Sequence, residues 1–314
     1  MTERVPLGGT AVTVSRIALG TAPLAGLYAP VAQDRARATL EAAWKSGVRY
    51  FDTAPHYGAG LAERRLGSFL AEVPRDEAVV STKVGRLLVP GAAEPGDEGF
   101  HGAPGLVRVR DYTREGVRRS LEESLERSGL DAFDVVLIHD PDDHGEQALA
   151  EAYPALARLR AEGVIRAVGV GMNQTAMLSR FVRETDVDCV LVAGRYSLLD
   201  RSAERELLPL CAARGVGVLV GGVFNSGVLA NPHRGAMYDY VPASASVLRA
   251  ARELDRRCAA YGVPLAAAAL RFPLRHPAVT GVVVGAASPA EVLQNAAHAE
   301  LDVPERLWAD LGAG

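Results

Sequence analysis

Short apolar segments rich in Val, Ile and Leu alternate along the chain with longer segments in which apolar residues recur at helical spacing. Near-continuous apolar runs are typical of parallel β-strands that are covered on both faces. The eight apolar segments, each a predicted strand, cover residues 16–21, 48–52, 78–84, 133–139, 164–170, 187–194, 216–222 and 279–285.

The segments between the predicted strands carry helical signals. Apolar stripes at i, i+4 and i+7 or i+8 end at glycines, which is typical of helix C-termini. The stripes are Ala36, Leu40, Ala43 and Trp44 before Gly47; Val117, Leu121 and Leu125 before Gly129; Leu207, Leu208 and Cys211 before Gly215; and Val247, Ala251, Leu254 and Cys258 before Gly262. Residues 288–291, Ser-Pro-Ala-Glu, form a capping box with Pro at the first helical position. Pro154 predicts a late start or a bend in the helix within 146–162.

Eight strands alternating with helices predict an α/β fold, a (β/α)8 TIM barrel, with residues 1–314 forming one domain. The alternative is a doubly wound open sheet, which needs a G-x-G-x-x-G phosphate-binding fingerprint after its first strand. The first apolar segment ends in GTAPLAG (20–26) and the fifth in VGVG (168–171), and neither has that spacing. The barrel is therefore favoured.

Three further segments extend the predicted barrel. Residues 85–112 and 222–243 follow strands and are too long for simple turns, so both are expected at the C-terminal face, where barrel active sites are built. Within the first of these loops, the Gly- and Pro-rich residues 92–104 are expected to be disordered. The opening VPLGGTAVTVS predicts a short β-hairpin around Gly8 and Gly9 that closes the barrel floor.

Composition narrows the classes of function. The 314 residues include 34 Lys and Arg against 38 Asp and Glu, for a net charge of −4, which argues against a nucleic-acid or anionic-membrane surface. The cysteines at 189, 211 and 258 lack C-x-x-C spacing, so we expect three reduced core residues and no metal site. Without an apolar signal segment or membrane span, the expected location is the cytoplasm.

Four chemically active residues lie at or just beyond the ends of predicted strands. Strand two ends at Asp52 and is followed by Tyr57, strand three carries Lys83 near its end, and strand four ends at His139. Strand ends of a barrel converge on one mouth, so these groups are expected to form a proton-transfer site. A phenol is a poor acid or base at neutral pH, and a nearby ammonium is expected to lower its pKa, with Asp52 holding the lysine.

Each of these residues also has a structural explanation. Asp52 before Thr-Ala-Pro is typical of a turn, Lys83 at a strand end is typical of a surface, and His139 before Asp-Pro can simply end a strand. Taken singly, each residue favours the structural explanation. The placement of all of them at successive strand ends favours a shared catalytic site.

The same segments resemble the aldo-keto reductase superfamily. The matching stretches are GVRYFDTAPHYGAGLAERRLG (47–67), STKVG (81–85), VLIHDPD (136–142) and VVVGAASPAEVLQN (282–295). The resemblance implies a catalytic tetrad of Asp52, Tyr57, Lys83 and His139, with Tyr57 as general acid and base. It implies substrate contacts from His56, Tyr57 and His139, and a nicotinamide cofactor bound across the barrel mouth without a Rossmann fold. The cofactor-binding residues it implies are Gly20, Thr21, Asp52, Asn173, Gly222, Phe224, Ser226, Gly285, Ser288, Glu291 and Asn295.

A narrower resemblance rests on DTAPHYG, AGRYSLLDRSA (193–203) and GGVFNSGVLA (221–230). In these segments the chain resembles bacterial aldose 1-dehydrogenases that act on L-fucose, D-threo-aldoses or galactose, which have pyridoxal dehydrogenases as relatives. It implies oxidation of the anomeric hydroxyl of a sugar to a lactone. The alternatives are an NADPH-dependent carbonyl reductase or pyridoxal dehydrogenase of the same fold, or a subunit that binds the cofactor and turns over poorly. The oligomeric state stays open.

The chain departs from the family pattern around the nicotinamide. The usual Ser-Asn after strand five is replaced by Met172 and Asn173, the usual Gln by Ala193, and the usual stacking Tyr by Gly221, which leaves Tyr196 or Phe224 as stacking candidates. No Lys or Arg occurs from 276 to 299, where relatives that use NADP place a base for the 2′-phosphate. NAD is therefore expected, with NADP possible. Glu291 either accepts the ribose hydroxyls of NAD or only closes the capping box.

Overall fold

A computed structural model describes residues 3–91, 99–101 and 105–312. Within these residues, eight parallel strands form a closed barrel in which each strand pairs with its neighbours in the chain and the last strand pairs with the first. The strands are β1 (Ile17–Gly20), β2 (Tyr50–Asp52), β3 (Val79–Val84), β4 (Val135–His139), β5 (Ala167–Met172), β6 (Cys189–Ala193), β7 (Gly217–Gly221) and β8 (Val279–Gly285). The predicted (β/α)8 barrel is confirmed, and each predicted strand overlaps an observed one.

Helices cover the outside of the barrel. The main ones in the described chain are α1 (Gln33–Lys45), α2 (Leu61–Leu70), α3 (Arg114–Ser128), α4 (Tyr153–Ala161), α5 (Ala176–Glu184), α6 (Leu207–Arg214), α7 (Ala245–Ala260), α8 (Leu265–Arg271), α9 (Pro289–Glu300) and α10 (Glu305–Asp310). Side-chain oxygens cap several of them: Thr113 accepts from the backbone N–H of Gly116, and Ser288 accepts from that of Glu291. Such caps satisfy N–H groups that have no partner within the helix.

Pro154 is accommodated by a change of helical pitch. Helical residues begin already at Gly145, and a π-helical turn (Ala148–Ala152) precedes α4. A proline lacks an N–H and its ring clashes with the preceding turn of an α-helix, and a wider turn relieves that clash. The predicted late start of the helix is wrong, and the structure shows a π-helical turn before Pro154.

An antiparallel hairpin (Arg4–Pro6 with Thr13–Ser15) covers the N-terminal end of the barrel, as predicted. Leu7, Val12 and Val14 are buried and pack against interior barrel residues. The turn lies against the segment that leads into β7, because the N–H of Gly9 donates to the carbonyl of Gly215 at 3.0 Å, two residues before that strand. The hairpin therefore closes the barrel floor and leaves the opposite end for chemistry.

Two layers of core surround the strands. Inside the barrel, Tyr50, Leu137 and Cys189 belong to the same buried cluster as the floor hairpin. The larger cluster lies between strands and helices and includes Cys211 and Cys258, so all three cysteines are free and buried, as predicted. Among the described residues, no helix combines the length and apolar character needed to cross a bilayer.

The described parts of the two long loops lie at the C-terminal face and carry short antiparallel strands. Arg86–Pro90 pairs with Leu106–Arg110, and Met237–Tyr238 pairs with Val241–Pro242. The sequence analysis did not predict either pair. Most of the segment expected to be disordered, 92–104, lies outside the described residues; within it, only 99–101 are described.

Candidate active site

A buried lysine, Lys83, contacts two of the other three residues that the sequence places at or just beyond strand ends. The Lys83 Nζ donates to Asp52 Oδ2 at 2.6 Å, to the carbonyl of Thr53 at 3.0 Å and to the Tyr57 hydroxyl at 2.9 Å. Asp52 and Lys83 are each 2% exposed. Removing one partner of such a buried pair leaves an uncompensated charge, at a cost of about 3–5 kcal/mol. The lysine is therefore fixed, and the Tyr57 hydroxyl is held with it.

Strand register explains why these side chains meet. Asp52 ends β2 opposite Ser81 of β3, and the Ser81 hydroxyl donates to Asp52 Oδ1 at 2.8 Å. Lys83 is two residues further along β3, so its side chain lies on the same face as that of Ser81. Two adjacent parallel strands thus place a carboxylate beside an ammonium at the barrel mouth.

His139 ends β4, with its ring centroid 6.0 Å from that of Tyr57. Burial lowers the pKa of His139 well below its ordinary value, because the imidazolium loses hydration, and the positive charges of Arg86 and Lys83 lower it further. The imidazole is therefore neutral near pH 7. A neutral imidazole with its proton on the nitrogen facing the substrate can donate a hydrogen bond to a substrate oxygen.

The expected net lowering of the Tyr57 pKa is wrong for this environment, although the Lys83 ammonium beside the hydroxyl favours the phenolate. Burial raises the pKa of Tyr57 well above its ordinary value, and the carboxylates of Asp52 and Asp140 raise it further, with Arg86 opposing them. A phenolate in a site with little water loses more hydration than the single Lys83 contact restores. Tyr57 is consequently a neutral phenol near pH 7, ready to donate a proton.

A cavity of about 610 Å³ opens beside these residues. Tyr57, Lys83 and His139 line it, together with His56. The His56 ring lies 5.6 Å from His139 and 5.2 Å from Phe100, centroid to centroid. The three residues for which the resemblance implies substrate contacts, His56, Tyr57 and His139, therefore share one aromatic, partly polar chamber.

A second cavity, a groove of about 560 Å³, runs from Tyr57 towards the N-terminus of α9. It is lined by nine of the eleven residues implied to bind the cofactor: Gly20, Asp52, Asn173, Gly222, Phe224, Ser226, Gly285, Glu291 and Asn295. The other two, Thr21 and Ser288, lie behind its wall. The Thr21 hydroxyl donates to the Asp52 carbonyl at 3.0 Å, and Ser288 caps α9.

The groove suits a nicotinamide dinucleotide. Small residues such as Ala193, Gly221 and Gly222 form part of its wall and leave an open trough. Asn225, only 2% exposed, also lines it, and its Oδ1 is buried with no hydrogen-bond partner among the described residues. Buried polar atoms in folded proteins nearly always have a partner, so this orphaned acceptor favours a bound polar ligand. The residues present therefore fit the cofactor.

The structure separates the two stacking candidates. Phe224 lines the groove, whereas Tyr196 is 3% exposed and packs in the core, with its ring centroid 5.0 Å from that of Phe272. Asn173 lines both cavities, and its carbonyl accepts from Nε of Arg195 at 2.7 Å. Of the two aromatic residues, only Phe224 is placed to contact a ligand in the groove.

Glu291 closes the capping box. Its Oε2 accepts from the backbone N–H of Ala287 at 2.9 Å, and its Oε1 accepts from the Ser288 hydroxyl at 3.1 Å. Its side chain still lines the groove, and the described residues that form the groove include no Lys or Arg. The end of the groove at the N-terminus of α9 thus presents a carboxylate, with no Lys or Arg among the described lining residues.

Sequence reasoning missed several residues around the substrate cavity. Asp140 and Arg86 form an ion pair at 2.7 Å, with Asp140 lining the cavity. The rings of Tyr28 and Tyr240 stack at 6.3 Å where the cavity meets the groove. For Asp140 the available signal was its position directly after His139. The tyrosines gave none, because their contact joins loops 212 residues apart in sequence.

Comparisons with known proteins show the family of the chain. The model of the aldo/keto reductase family matches residues 16–312. The chain is 45% identical to D-threo-aldose 1-dehydrogenase of Pseudomonas sp., over 96% of this chain and 94% of that protein. It is 42% identical to pyridoxal 4-dehydrogenase of Microbacterium luteolum, over 98% and 96%. The structure of a glycerol dehydrogenase from Gluconobacter oxydans superposes with a TM-score of 0.78 at 25% identity, covering 99% of this chain and 94% of that one.

The family model spans almost the whole barrel, from β1 to α10, and both relatives match from end to end. The strand-end residues, the substrate cavity and the groove all lie within the matched region. The chain therefore belongs to the aldo/keto reductase family and is an NAD(P)-dependent oxidoreductase.

Proposed function

We propose that this protein oxidises the anomeric hydroxyl of an aldose to the corresponding lactone, with NAD as the preferred cofactor and Tyr57 as the group that exchanges the hydroxyl proton. The observation that carries the proposal is the position of Tyr57. Its hydroxyl is held 2.9 Å from Lys83 Nζ, and Tyr57 lines both the substrate cavity and the groove. A proton-transfer group thus lies where substrate and cofactor would meet.

The relatives support the substrate class. The D-threo-aldose 1-dehydrogenase and the pyridoxal 4-dehydrogenase are named for an aldose and for pyridoxal. Both compounds form cyclic hemiacetals, and loss of a hydride and a proton from a hemiacetal gives a lactone. The shared chemistry therefore favours a hemiacetal hydroxyl as the reacting group. Pyridoxal is the second candidate substrate, because of the second relative.

A nicotinamide bound in the groove would supply the acceptor for the hydride that leaves C1 of the sugar. The protein moves the proton: Tyr57 accepts it from the C1 hydroxyl in oxidation and returns it in reduction. Lys83 fixes the phenol and balances negative charge on it, and Asp52 fixes Lys83. The neutral His139 donates a hydrogen bond to the same substrate oxygen and orients it.

The preference for NAD rests on charge. A 2′-phosphate is a dianion that is normally bound by Arg or Lys, and the described residues of the groove offer neither. The Glu291 carboxylate lies where such a base would help and repels a phosphate. The N-terminus of α9 opposes this effect by about 0.3–1 kcal/mol, because its dipole favours anions. The carboxylate therefore favours the free ribose of NAD.

Initial-rate kinetics test the proposal directly. L-Fucose, D-arabinose, L-galactose and pyridoxal are each assayed for oxidation with NAD and NADP, and a simple aldehyde is assayed for reduction. We expect the highest kcat/KM with an aldose and NAD. Preferred oxidation of pyridoxal would move the assignment to the second candidate, and reduction of the simple aldehyde alone would make the protein a carbonyl reductase. Cofactor binding without turnover on the whole panel would favour a regulatory subunit.

A further inference from the structure

A rigid carboxylate borders the substrate cavity next to His139. The backbone N–H of Asp140 donates to the carbonyl of Gly171 at 2.9 Å, and its carbonyl accepts from the Tyr112 hydroxyl at 2.8 Å. Its φ is +42°, a left-handed conformation that Asp tolerates better than most residues with a side chain. These contacts fix the backbone and place the carboxylate at the wall of the cavity.

An arginine fixes this carboxylate. Arg86, the residue after the glycine that follows β3, donates to Asp140 Oδ2 at 2.7 Å, and the Arg86 side chain is only 11% exposed. The Asp140 side chain is 29% exposed, and no hydrogen bond to its Oδ1 is formed by the residues that the structure describes. Oδ2 thus accepts from Arg86, and Oδ1 is available to accept a hydrogen bond from a ligand in the cavity.

The chemistry of this pair points to a hydroxyl donor. An ionised carboxylate only accepts hydrogen bonds, and hydrogen bonds to a charged group are roughly twice as strong as neutral ones. In the proposed reaction Tyr57 and His139 bind the reacting oxygen, so a carboxylate that lines the same cavity next to His139 would face the neighbouring carbon atoms. In an aldose those atoms carry hydroxyl groups, and in a plain aldehyde they carry only hydrogen.

We propose that Asp140, held by Arg86, accepts a hydrogen bond from a substrate hydroxyl close to the reacting carbon, so that this ion pair selects hydroxylated carbonyl compounds over plain aldehydes. The inference rests on the proposed function and deepens it, since it names the residue that recognises the sugar. The competing role that the test must separate is orientation of the His139 ring, whose Nε2 lies 3.4 Å from Asp140 Oδ2.

The test compares two three-carbon aldehydes that differ only in hydroxyl groups, D-glyceraldehyde and propanal. Reduction of each is measured with the wild type and with Asp140→Asn and Asp140→Gly. Asn and Gly both tolerate the left-handed backbone, so these variants keep the loop conformation. We expect the ratio of kcat/KM for glyceraldehyde to that for propanal to fall about 10- to 100-fold, chiefly through KM, with the larger fall for Gly. The control is Asp143→Asn, the same change at an exposed residue three positions away, which is expected to keep the wild-type ratio.

The two outcomes are distinct. A role in orienting His139 predicts equal losses of kcat/KM on both aldehydes, since both need the same hydrogen bond to the carbonyl oxygen. An unchanged ratio in both Asp140 variants would therefore overturn the inference.

The proposed function is judged separately, by oxidation of L-fucose by the wild type. A wild type that reduces glyceraldehyde without oxidising aldoses would refute the proposed function and leave the ratio informative.

Discussion

At the scale of single residues, the Lys83 ammonium uses three hydrogen bonds, and one of them holds the Tyr57 hydroxyl at 2.9 Å. Tyr57→Phe keeps the ring, which stacks on Phe100 at 6.0 Å, and removes only the exchangeable proton. We expect kcat to fall about 10²–10⁴-fold, the usual contribution of a general acid–base group. Cofactor affinity, measured by fluorescence titration, is expected to stay within a few-fold of the wild type. A variant that keeps most of the wild-type kcat would remove Tyr57 from the mechanism.

The raised pKa of Tyr57 predicts a pH dependence with a definite sign. Oxidation needs the phenolate, whose population rises with pH below that raised pKa, so kcat/KM for oxidation is expected to increase from pH 7 upwards. Reduction needs the neutral phenol, which is already dominant, so its kcat/KM is expected to be flat over the same range. Parallel pH profiles in the two directions, measured with one substrate pair, would contradict this assignment.

Two variants move this profile in opposite directions. Lys83→Met removes the cation beside the hydroxyl and is expected to shift the rise in oxidation to higher pH. Asp52→Asn removes a carboxylate that raises the pKa of Tyr57, and it is expected to shift the rise to lower pH. Both variants break a buried ion pair, so circular dichroism and melting temperature are recorded alongside. Identical profiles in wild type and Lys83→Met would refute the proposed coupling.

The sequence predicted which of these residues lie together, because Asp52, Lys83 and His139 stand at strand ends and strand ends converge in a barrel. It did not predict the sign of the pKa shift of Tyr57, because burial of the phenol depends on loops that pack over it. The ion pair between Arg86 and Asp140 was also missed. Nothing in the local sequence links residues 54 positions apart.

At the scale of elements, apolar runs predicted every barrel strand, because a strand covered on both faces leaves a strong compositional signal. The hairpin Arg86–Pro90 with Leu106–Arg110 was missed although LVRVR (106–110) alternates apolar and basic residues. In the sequence a Gly- and Pro-rich stretch joins these two strands, and that composition favoured the prediction of a loop. The π turn before Pro154 depends on how the helix packs, so the sequence indicated only that the helix is irregular there.

The N-terminus of α9 carries the prediction about the cofactor. The wild type is expected to have the higher kcat/KM with NAD, and Glu291→Arg is expected to shift the NAD to NADP ratio towards NADP by about tenfold or more, since a repulsive charge becomes an attractive one. Glu291→Gln is the matched control. It removes the charge while keeping an oxygen for the hydrogen bond from the Ala287 N–H, so it reports the effect of charge without a new base. A clear preference of the wild type for NADP would defeat the argument.

At the scale of the whole molecule, the two ends of the barrel serve different functions. The candidate site, both cavities and both long loops lie at the C-terminal end, and the hairpin closes the N-terminal end with buried Leu7, Val12 and Val14. In barrel enzymes the residues at the C-terminal face carry out catalysis, and those at the N-terminal face contribute to stability. A change at the floor is therefore expected to alter unfolding with little effect on catalysis.

Gly8 is the position where this separation is tested. Its φ is +57°, and a Cβ there would lie 2.6 Å from the backbone nitrogen of Gly217 and 2.7 Å from the carbonyl oxygen of Asp188. Backbone atoms of barrel strands cannot move aside cheaply. The left-handed conformation costs about 1–2 kcal/mol for a residue with a Cβ, and overpacking adds about 1–3 kcal/mol. We expect Gly8→Ala to lower the free energy of unfolding by about 2–5 kcal/mol in denaturant titrations.

Two matched variants divide that loss into its causes. Gly129→Ala has a similar φ of +66° with no atom within 4 Å of the new Cβ, so it reports the backbone cost alone. In Gly9→Ala the new Cβ would lie 3.8 Å from the carbonyl oxygen of Gly215, an ordinary contact, so stability is expected to change by about 0.5 kcal/mol or less.

Folded Gly8→Ala protein is expected to keep its kcat/KM within about twofold, because the floor and the mouth lie at opposite ends of the barrel. A loss of stability no larger than that of Gly129→Ala would mean that the hairpin does not press on the barrel backbone.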